Sequence, residues 1–126
     1  MQINRLDHVN VKTANLEEMV KWYEAVLGMT SGARPPFPFP GAWMYAGEYP
    51  VVHLVGVATD PVGEDPKIEH FALSATGFPS FIENLDNRSI DYKVVKVPGI
   101  EVTQVNVFDV DGNHIHIDFQ SRNADA

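Results

Sequence analysis

The sequence predicts an α+β fold made of two tandem βαβββ modules. Two observations support this prediction. A strand-like segment that joins an acidic residue to a histidine occurs twice, with His8 and His70 separated by 62 residues (70 − 8). The helical pattern that follows the first segment returns in the second half at the same interval. Because strand and helix repeat together, an internal duplication explains them better than chance does.

Each repeat opens with a predicted strand in which the two faces differ. Val9 and Val11 form an apolar face in the first repeat, and Phe71 and Leu73 do the same in the second. The histidine lies on the opposite face, beside small or polar neighbours such as Asn10. This composition suits the wall of a cavity, so Asn10 is a candidate substrate contact.

A helix follows the first strand of each repeat. In the first helix we predict Asn15 as N-cap, Glu18 at the capping-box position and Gly28 as terminator. Its apolar positions are Leu16, Met19, Val20, Tyr23 and Leu27. The repeat interval places the apolar residues Phe78, Phe81, Ile82 and Leu85 at equivalent positions of the second helix, which Gly77 and Pro79 introduce.

Three strand-like stretches complete each module. They lie near 29–33, 42–46 and 51–58 in the first half, and at 92–97, 102–108 and 114–119 in the second. The length of 126 residues fits a single domain. We expect module one at about 1–59, a Pro/Gly-rich linker at about 60–66, module two at about 67–120 and a tail at 121–126.

Composition limits the partners and the chemistry. A formal charge of −8 argues against nucleic acid, because affinity for phosphates comes mostly from Lys and Arg. The chain has no cysteine, so a metal would have to rest on His, Asp or Glu. It also has no run of about 18 apolar residues and no signal-like N-terminus, from which we expect a cytoplasmic protein with no membrane partner.

Four of the five histidines are related by the repeat. His53 and His116 lie in the last predicted strand of each module, 63 residues apart (116 − 53). If the modules pack about a pseudo-twofold axis, these two converge with His8 and His70. Imidazole is a common ligand of catalytic metals. A single histidine in a strand is more often an ordinary core or surface residue, so the prediction of one shared divalent ion depends on all four together.

Several segments together carry a resemblance to a known family. They are Leu6-Asp7-His8-Val9, Trp22-Tyr23, Val26-Leu27-Gly28-Met29, Glu69-His70-Phe71-Ala72 and the stretch from Asp109 to His116. Over almost its whole length the chain resembles the vicinal oxygen chelate superfamily, which contains glyoxalases, fosfomycin and bleomycin resistance proteins and extradiol dioxygenases. The resemblance implies a half-open eight-stranded barrel with helices outside, a bound divalent ion, a homodimer, and the four paired histidines at the ligand places.

The chain departs from the family pattern near the ligands. His116 stands where the family usually has Glu, Val110 where it has Pro, and His53 where glyoxalase-like members commonly have Glu or Gln. Histidine binds metal but is a poorer substitute for a carboxylate base, which disfavours lactoylglutathione lyase activity. Asp118 is either a replacement carboxylate or a solvated residue at a strand end, and His114 is expected to be a polar residue near a turn.

An aromatic segment supplies the candidate substrate contacts. The stretch 34–41 contains four prolines and reads as a stiff loop outside the sheet. Phe37 and Phe39 on this loop, with Trp43 and Tyr45 on the next strand, could line an apolar mouth. The alternative is that these rings cover a sheet edge or a dimer interface.

Together these features predict a divalent-metal-dependent enzyme. It would bind adjacent oxygens of a small substrate that has an aromatic or apolar part, and act as a lyase, isomerase or dioxygenase with Fe, Zn, Ni or Mn. The sequence does not identify the catalytic base. The alternative is a non-catalytic, metal-free binding protein of the bleomycin-resistance type. Histidine at all four repeat-related places favours the enzyme.

Overall fold

Two four-stranded sheets, each with one helix, form the part of the chain that the structure describes. The computed structural model describes residues 1–63 and 66–120. It divides the chain into a first unit, Met1–Gly63, and a second unit, Glu64–Ala126. The predicted tail at 121–126 and linker residues 64 and 65 lie outside the described residues.

Both units have the element order βαβββ. The first unit contains β1 (Val9–Thr13), α1 (Leu16–Ala25), β2 (Thr30–Gly32), β3 (Gly41–Ala46) and β4 (Tyr49–Gly56). The second contains β5 (His70–Ser74), α2 (Phe78–Asn87), β6 (Lys93–Val97), β7 (Val102–Phe108) and β8 (His114–Gln120). The predicted α+β class and repeated module are confirmed. Strand β1 begins later than the alternating pattern indicated, because its pairing with β4 starts at Val9, and His8 therefore precedes the strand.

The two sheets have the same topology. Their strand orders are β1-β4-β3-β2 and β5-β8-β7-β6, and in each the first strand of the unit runs parallel to the last. Asn10 lies opposite His53, which lies opposite Trp43. The same row in the second unit is Ala72, His116 and Asn106. The register therefore reproduces the sequence repeat residue by residue.

One face of each sheet is covered by the helix of its own unit. Met19 and Tyr23 of α1 are fully buried, as are Met44 and Val52 of the sheet that α1 contacts. In the second unit Leu85 of α2 and strand residues such as Val105 and Ile115 are fully buried, and Phe78 and Phe81 contact the ring of Phe119. Each such apolar side chain contributes about 1.5–3 kcal/mol on burial. The histidines lie on the opposite sheet faces.

The start of α1 differs from the prediction, whereas its end agrees. Asn15 precedes the helix but its side chain makes no capping hydrogen bond, so the predicted capping box is wrong. Instead, the backbone N–H of Asn15 donates to Oγ1 of Thr13 at 2.9 Å. Gly28 follows the helix with φ of +67°, a conformation that glycine adopts at little cost.

Neither helix resembles a membrane span. Both α1 and α2 are ten residues long. Across 1–63 and 66–120, we find no helix with the length and apolar character that crossing a bilayer requires.

Candidate functional site

The histidines of the first unit form a stacked pair. The rings of His8 and His53 have centroids 3.9 Å apart and planes inclined by 11°. His53 projects from β4, and the neighbouring parallel strand β1 begins directly after His8. Parallel pairing of the first and last strands thus brings together two histidines that are far apart in sequence.

Hydrogen bonds in this pair determine which ring nitrogens stay available. Nε2 of His53 donates to the carbonyl oxygen of Pro50 at 2.9 Å, because a carbonyl only accepts. In the neutral ring the lone pair then lies on Nδ1 of His53. Nδ1 of His8 donates to Oδ2 of Asp7 at 2.7 Å, which leaves Nε2 of His8 with the lone pair. Both histidines thus present one nitrogen that can bind a metal.

The second unit holds an equivalent pair and one further histidine. The rings of His70 and His116 stack with centroids 4.0 Å apart, and Nδ1 of His70 donates to Oε2 of Glu69. His114 joins them: the possible ligand atoms of the three histidines all lie within 4.8 Å of one another. We expected His114 to be a polar residue near a turn, and sequence reasoning missed its place in this cluster. The usable signal was its position two residues before His116, on the same strand face.

Burial and neighbouring groups shift several pKa values at the two pairs. Burial lowers the pKa of His53, and the adjacent His8 lowers it further. Burial likewise lowers the pKa of His116, with additional lowering from the neighbouring histidines. Hydrogen bonds from the histidines lower the pKa of Asp7 and that of Glu69. These shifts favour neutral imidazoles and ionised carboxylates, the protonation states that metal binding requires.

Asp118 adds a carboxylate to the same face of β8 as His116. Its Oδ1 atom is buried and has no hydrogen-bond partner in the described part of the chain. Of the two alternatives for Asp118, a solvated residue at a strand end does not describe this oxygen. A buried acceptor without a partner is costly, so this oxygen is available to accept a hydrogen bond or bind a cation.

An aromatic row extends from the first-unit pair to the proline-rich loop. Trp43 lies opposite His53 in the β3–β4 register, and their rings stack at 4.0 Å with a 12° inclination. Phe37 follows at 6.4 Å from Trp43, and Phe39 stacks on Phe37 at 4.9 Å. We call His8, His53, Trp43, Phe37 and Phe39 the aromatic row. Phe37 and Phe39 are each 41% exposed, so the loop end of the row can contact a ligand.

Two side chains fix the loop that carries this row. The guanidinium of Arg34 lies 5.3 Å from the ring centre of Phe37 and 5.4 Å from that of Phe39, and it donates to the Phe39 carbonyl at 3.2 Å. The hydroxyl of Tyr45 donates to the carbonyl of Ala33 at 2.5 Å. The hydroxyl of Tyr45 is therefore already used within the protein, whereas its ring remains part of the same sheet face as Trp43.

Asn10, the remaining predicted contact, is exposed on β1 directly opposite His53. The structure also contains an open apolar hollow of about 480 Å³ in the first unit, lined by residues that include Thr13, Leu16 and Pro40. None of the predicted metal or substrate residues lines this hollow.

Comparison with known proteins identifies a family and several relatives. A model described as the Glyoxalase/Bleomycin resistance protein/Dioxygenase superfamily matches residues 5–117. The chain is 29% identical to Glyoxylase I 4 of Arabidopsis thaliana over 93% of its own length and 71% of that protein. It is 39% identical to the manganese-dependent 2,3-dihydroxybiphenyl 1,2-dioxygenase of Geobacillus genomosp. 3 over 54% of this chain, but only 22% of the dioxygenase.

The fold is similar to that of a solved structure. The crystal structure of a glyoxalase family protein from Bacillus anthracis superposes with a TM-score of 0.77 and covers 95% of this chain and 98% of its own. The two sequences are 21% identical. This likeness supports the fold and leaves the reaction to be argued from the side chains.

The lowered histidine pKa values predict how stability depends on pH. The unfolded chain protonates His53 and His116 near the ordinary pKa of 6.5, whereas the folded protein does so only at lower pH. Where the unfolded state binds more protons than the folded state, the free energy of unfolding decreases as the pH is lowered. We therefore expect urea unfolding of the metal-free protein to require less urea as the pH falls from about 7.5 to 5.5.

Variants separate this effect from that of the carboxylates. His53→Gln and His116→Gln should each reduce the pH dependence in this window. Asp7 and Glu69 have pKa values below their ordinary 3.8 and 4.5, so their contribution is lost only at still lower pH. A stability that is flat or increases towards pH 5.5 in the unsubstituted protein would contradict the assignment.

Proposed function

Since the chain belongs to the Glyoxalase/Bleomycin resistance protein/Dioxygenase superfamily, we propose that it is a divalent-metal-dependent enzyme acting on a small substrate with two adjacent oxygens. One observation carries the proposal. Each unit holds a stacked histidine pair, and the hydrogen bonds of His8, His53 and His70 leave one nitrogen of each ring free to bind a metal.

The proposed ligands are His8, His53, His70 and His116. A divalent ion held by them would polarise adjacent substrate oxygens and stabilise the negative charge that develops on them. The protein's own contribution is orientation, because Asp7, Glu69 and the Pro50 carbonyl each hold the ring nitrogen that faces away from the free lone pair. Fe, Zn and Ni suit imidazole ligands in an open site, and the manganese-dependent dioxygenase relative keeps Mn among the candidates.

The reaction is a lyase, isomerase or dioxygenase reaction. Relatives with glyoxalase and dioxygenase names support this range. Uptake of oxygen during turnover would distinguish a dioxygenase from the other two. A protein that only sequesters a ligand would need no metal. The free ring nitrogens of the histidine pairs would then be unexplained, which favours the enzyme. The cytoplasmic location and the homodimer remain predictions.

We propose that the substrate has an aromatic part. In the aromatic row Trp43 stacks on His53, and Phe37 and Phe39 extend the row from Trp43, so a ring bound beside the metal ligands would have a wall to stack on. Asn10 and Tyr45 lie on the same sheet face and complete the set of proposed contacts.

Metal content tests the proposed function directly. Protein purified without an affinity tag and incubated with zinc should retain about one equivalent per chain if both pairs share an ion, and about two if each pair binds its own. His53→Gln and His116→Gln should each weaken zinc binding by about 100-fold or more, beyond the 10–100-fold typical of residues that only orient a ligand.

Lys21→Gln on the exposed side of α1 serves as the control and should leave zinc affinity unchanged. Less than about a tenth of an equivalent of any transition metal in the unsubstituted protein would exclude the metal-dependent enzyme and favour a sequestering protein.

Binding of catechol tests the aromatic row. Replacing both Phe37 and Phe39 with Ala should weaken catechol binding to the zinc-loaded protein by about tenfold, equivalent to about 1.4 kcal/mol of lost ring contact. Tryptophan fluorescence provides the measurement, since Trp43 belongs to the row. Tyr49→Ala removes an exposed aromatic ring outside the row and should have no effect. Unchanged affinity together with an altered association state would assign the two rings to an interface instead.

A further inference from the structure

Four side chains of the second unit form a continuous hydrogen-bonded chain that ends at a proposed metal ligand. Nε2 of His114 contacts Oδ1 of Asn106 at 2.9 Å, and Nδ1 of His114 contacts Oε1 of Glu69 at 3.0 Å. The other carboxylate oxygen of Glu69 accepts from Nδ1 of His70. We call these four residues, Asn106, His114, Glu69 and His70, the Glu69 network.

At the end of the Glu69 network farthest from His70, the sheet fixes Asn106. The side-chain Nδ2 of Asn106 donates to the backbone carbonyl of Lys93 at 3.1 Å, so its Oδ1 is the atom that faces His114. The ring of His114 also stacks on Phe108, its partner in the β7–β8 register, with centroids 5.0 Å apart. The side chain of His114 is only 18% exposed, which further limits its motion.

We propose that His114 is a positioning residue that fixes Glu69, and through Glu69 the ring orientation of His70. The side chain of Glu69 is 66% exposed and would sample several rotamers if His70 were its only partner. His114 holds its second oxygen, so the first oxygen stays at Nδ1 of His70 and the lone pair stays on Nε2. The value of this arrangement for metal binding rests on the proposed function.

A positioning role fits His114 better than a ligand role. Both of its ring nitrogens are already engaged within the protein, Nδ1 with Oε1 of Glu69 and Nε2 with Oδ1 of Asn106. A metal bound by His114 would have to displace either Glu69 or Asn106. The closeness of His114 to His70 and His116 is explained without such displacement, because all three project from the same face of two adjacent strands.

The first unit lacks this arrangement because it differs at three positions, including Trp43 at the place of Asn106. Val51 occupies the position equivalent to His114, 63 residues earlier (114 − 51), and has no hydrogen-bonding group. Asp7 replaces Glu69 and is 83% exposed while it contacts His8. The extra methylene of Glu69 lets one carboxylate reach two histidines. We therefore infer that His70 is the more rigidly held ligand and His8 the more easily reoriented one.

Nitrogen NMR of the metal-free protein tests the inference without reference to activity. In the unsubstituted protein at about pH 7.5, long-range proton–nitrogen correlations should show His70 as a single tautomer with hydrogen on Nδ1. His114→Gln should convert His70 to a mixture of tautomers. The matched control is Asp7→Asn, which should alter the signals of His8 and leave those of His70 unchanged.

Glu69→Asp provides a second variant that keeps the negative charge. Its shorter side chain cannot reach both histidines, so it should change the tautomers of His70 in the same direction as His114→Gln. Both variants should weaken zinc binding by about 10–100-fold. The visible absorption bands of the cobalt-loaded protein should keep their positions, since the ligand atoms stay the same. Thermal unfolding confirms that each variant is folded.

The outcomes separate the inference from the proposed function. An unchanged His70 tautomer in folded His114→Gln and Glu69→Asp would overturn the positioning role. Altered cobalt bands in His114→Gln, with loss of metal beyond about 100-fold, would also overturn it by making His114 a ligand. If the unsubstituted protein binds no metal while the tautomers of His70 change as expected, the metal-dependent function fails and the positioning role stands.

Discussion

The parallel pairing of the first and last strand in each unit is the constraint on which the candidate site depends. It places His8 beside His53 and His70 beside His116, although the members of each pair are more than forty residues apart. It also sets the faces, because a shift of one residue in either register would turn a histidine towards the helix. The buried alternating residues of β4 and β8 stabilise that register, so the apolar core indirectly holds the histidines in place.

The two units use different means to orient equivalent histidines. In the first, a backbone carbonyl orients His53 and an exposed aspartate contacts His8. In the second, Glu69 is held between His70 and His114, and a further hydrogen bond links His114 to Asn106 in the neighbouring strand β7. Trp43 and Asn106 stand at equivalent positions beside His53 and His116. At this position one unit thus has an aromatic wall and the other a hydrogen-bonding network.

Most of the fold could be predicted from the sequence because the repeat tests each element twice. The residues paired by the repeat, such as Tyr23 and Leu85, proved to be core residues in both helices. Features that depend on side-chain contacts between strands were missed. The link from His114 to Asn106 crosses from β8 to β7 and leaves no periodic signal, and the burial of Oδ1 of Asp118 follows from its neighbours rather than from its position at a strand end. The predicted capping box also failed: the Asn15 side chain makes no capping hydrogen bond, and Thr13 accepts from the backbone N–H of Asn15.

The availability of imidazole nitrogens for a metal is therefore set by hydrogen bonds between residues close in sequence, and strand pairing brings the rings of each pair together. X-ray absorption spectroscopy of the zinc-loaded protein measures those nitrogens most directly. We expect a first shell with at least two nitrogens near 2.0–2.1 Å and the outer-shell scattering typical of histidine rings. Zinc surrounded by oxygen alone, with no imidazole scattering, would contradict the assignment of the histidine pairs as metal ligands.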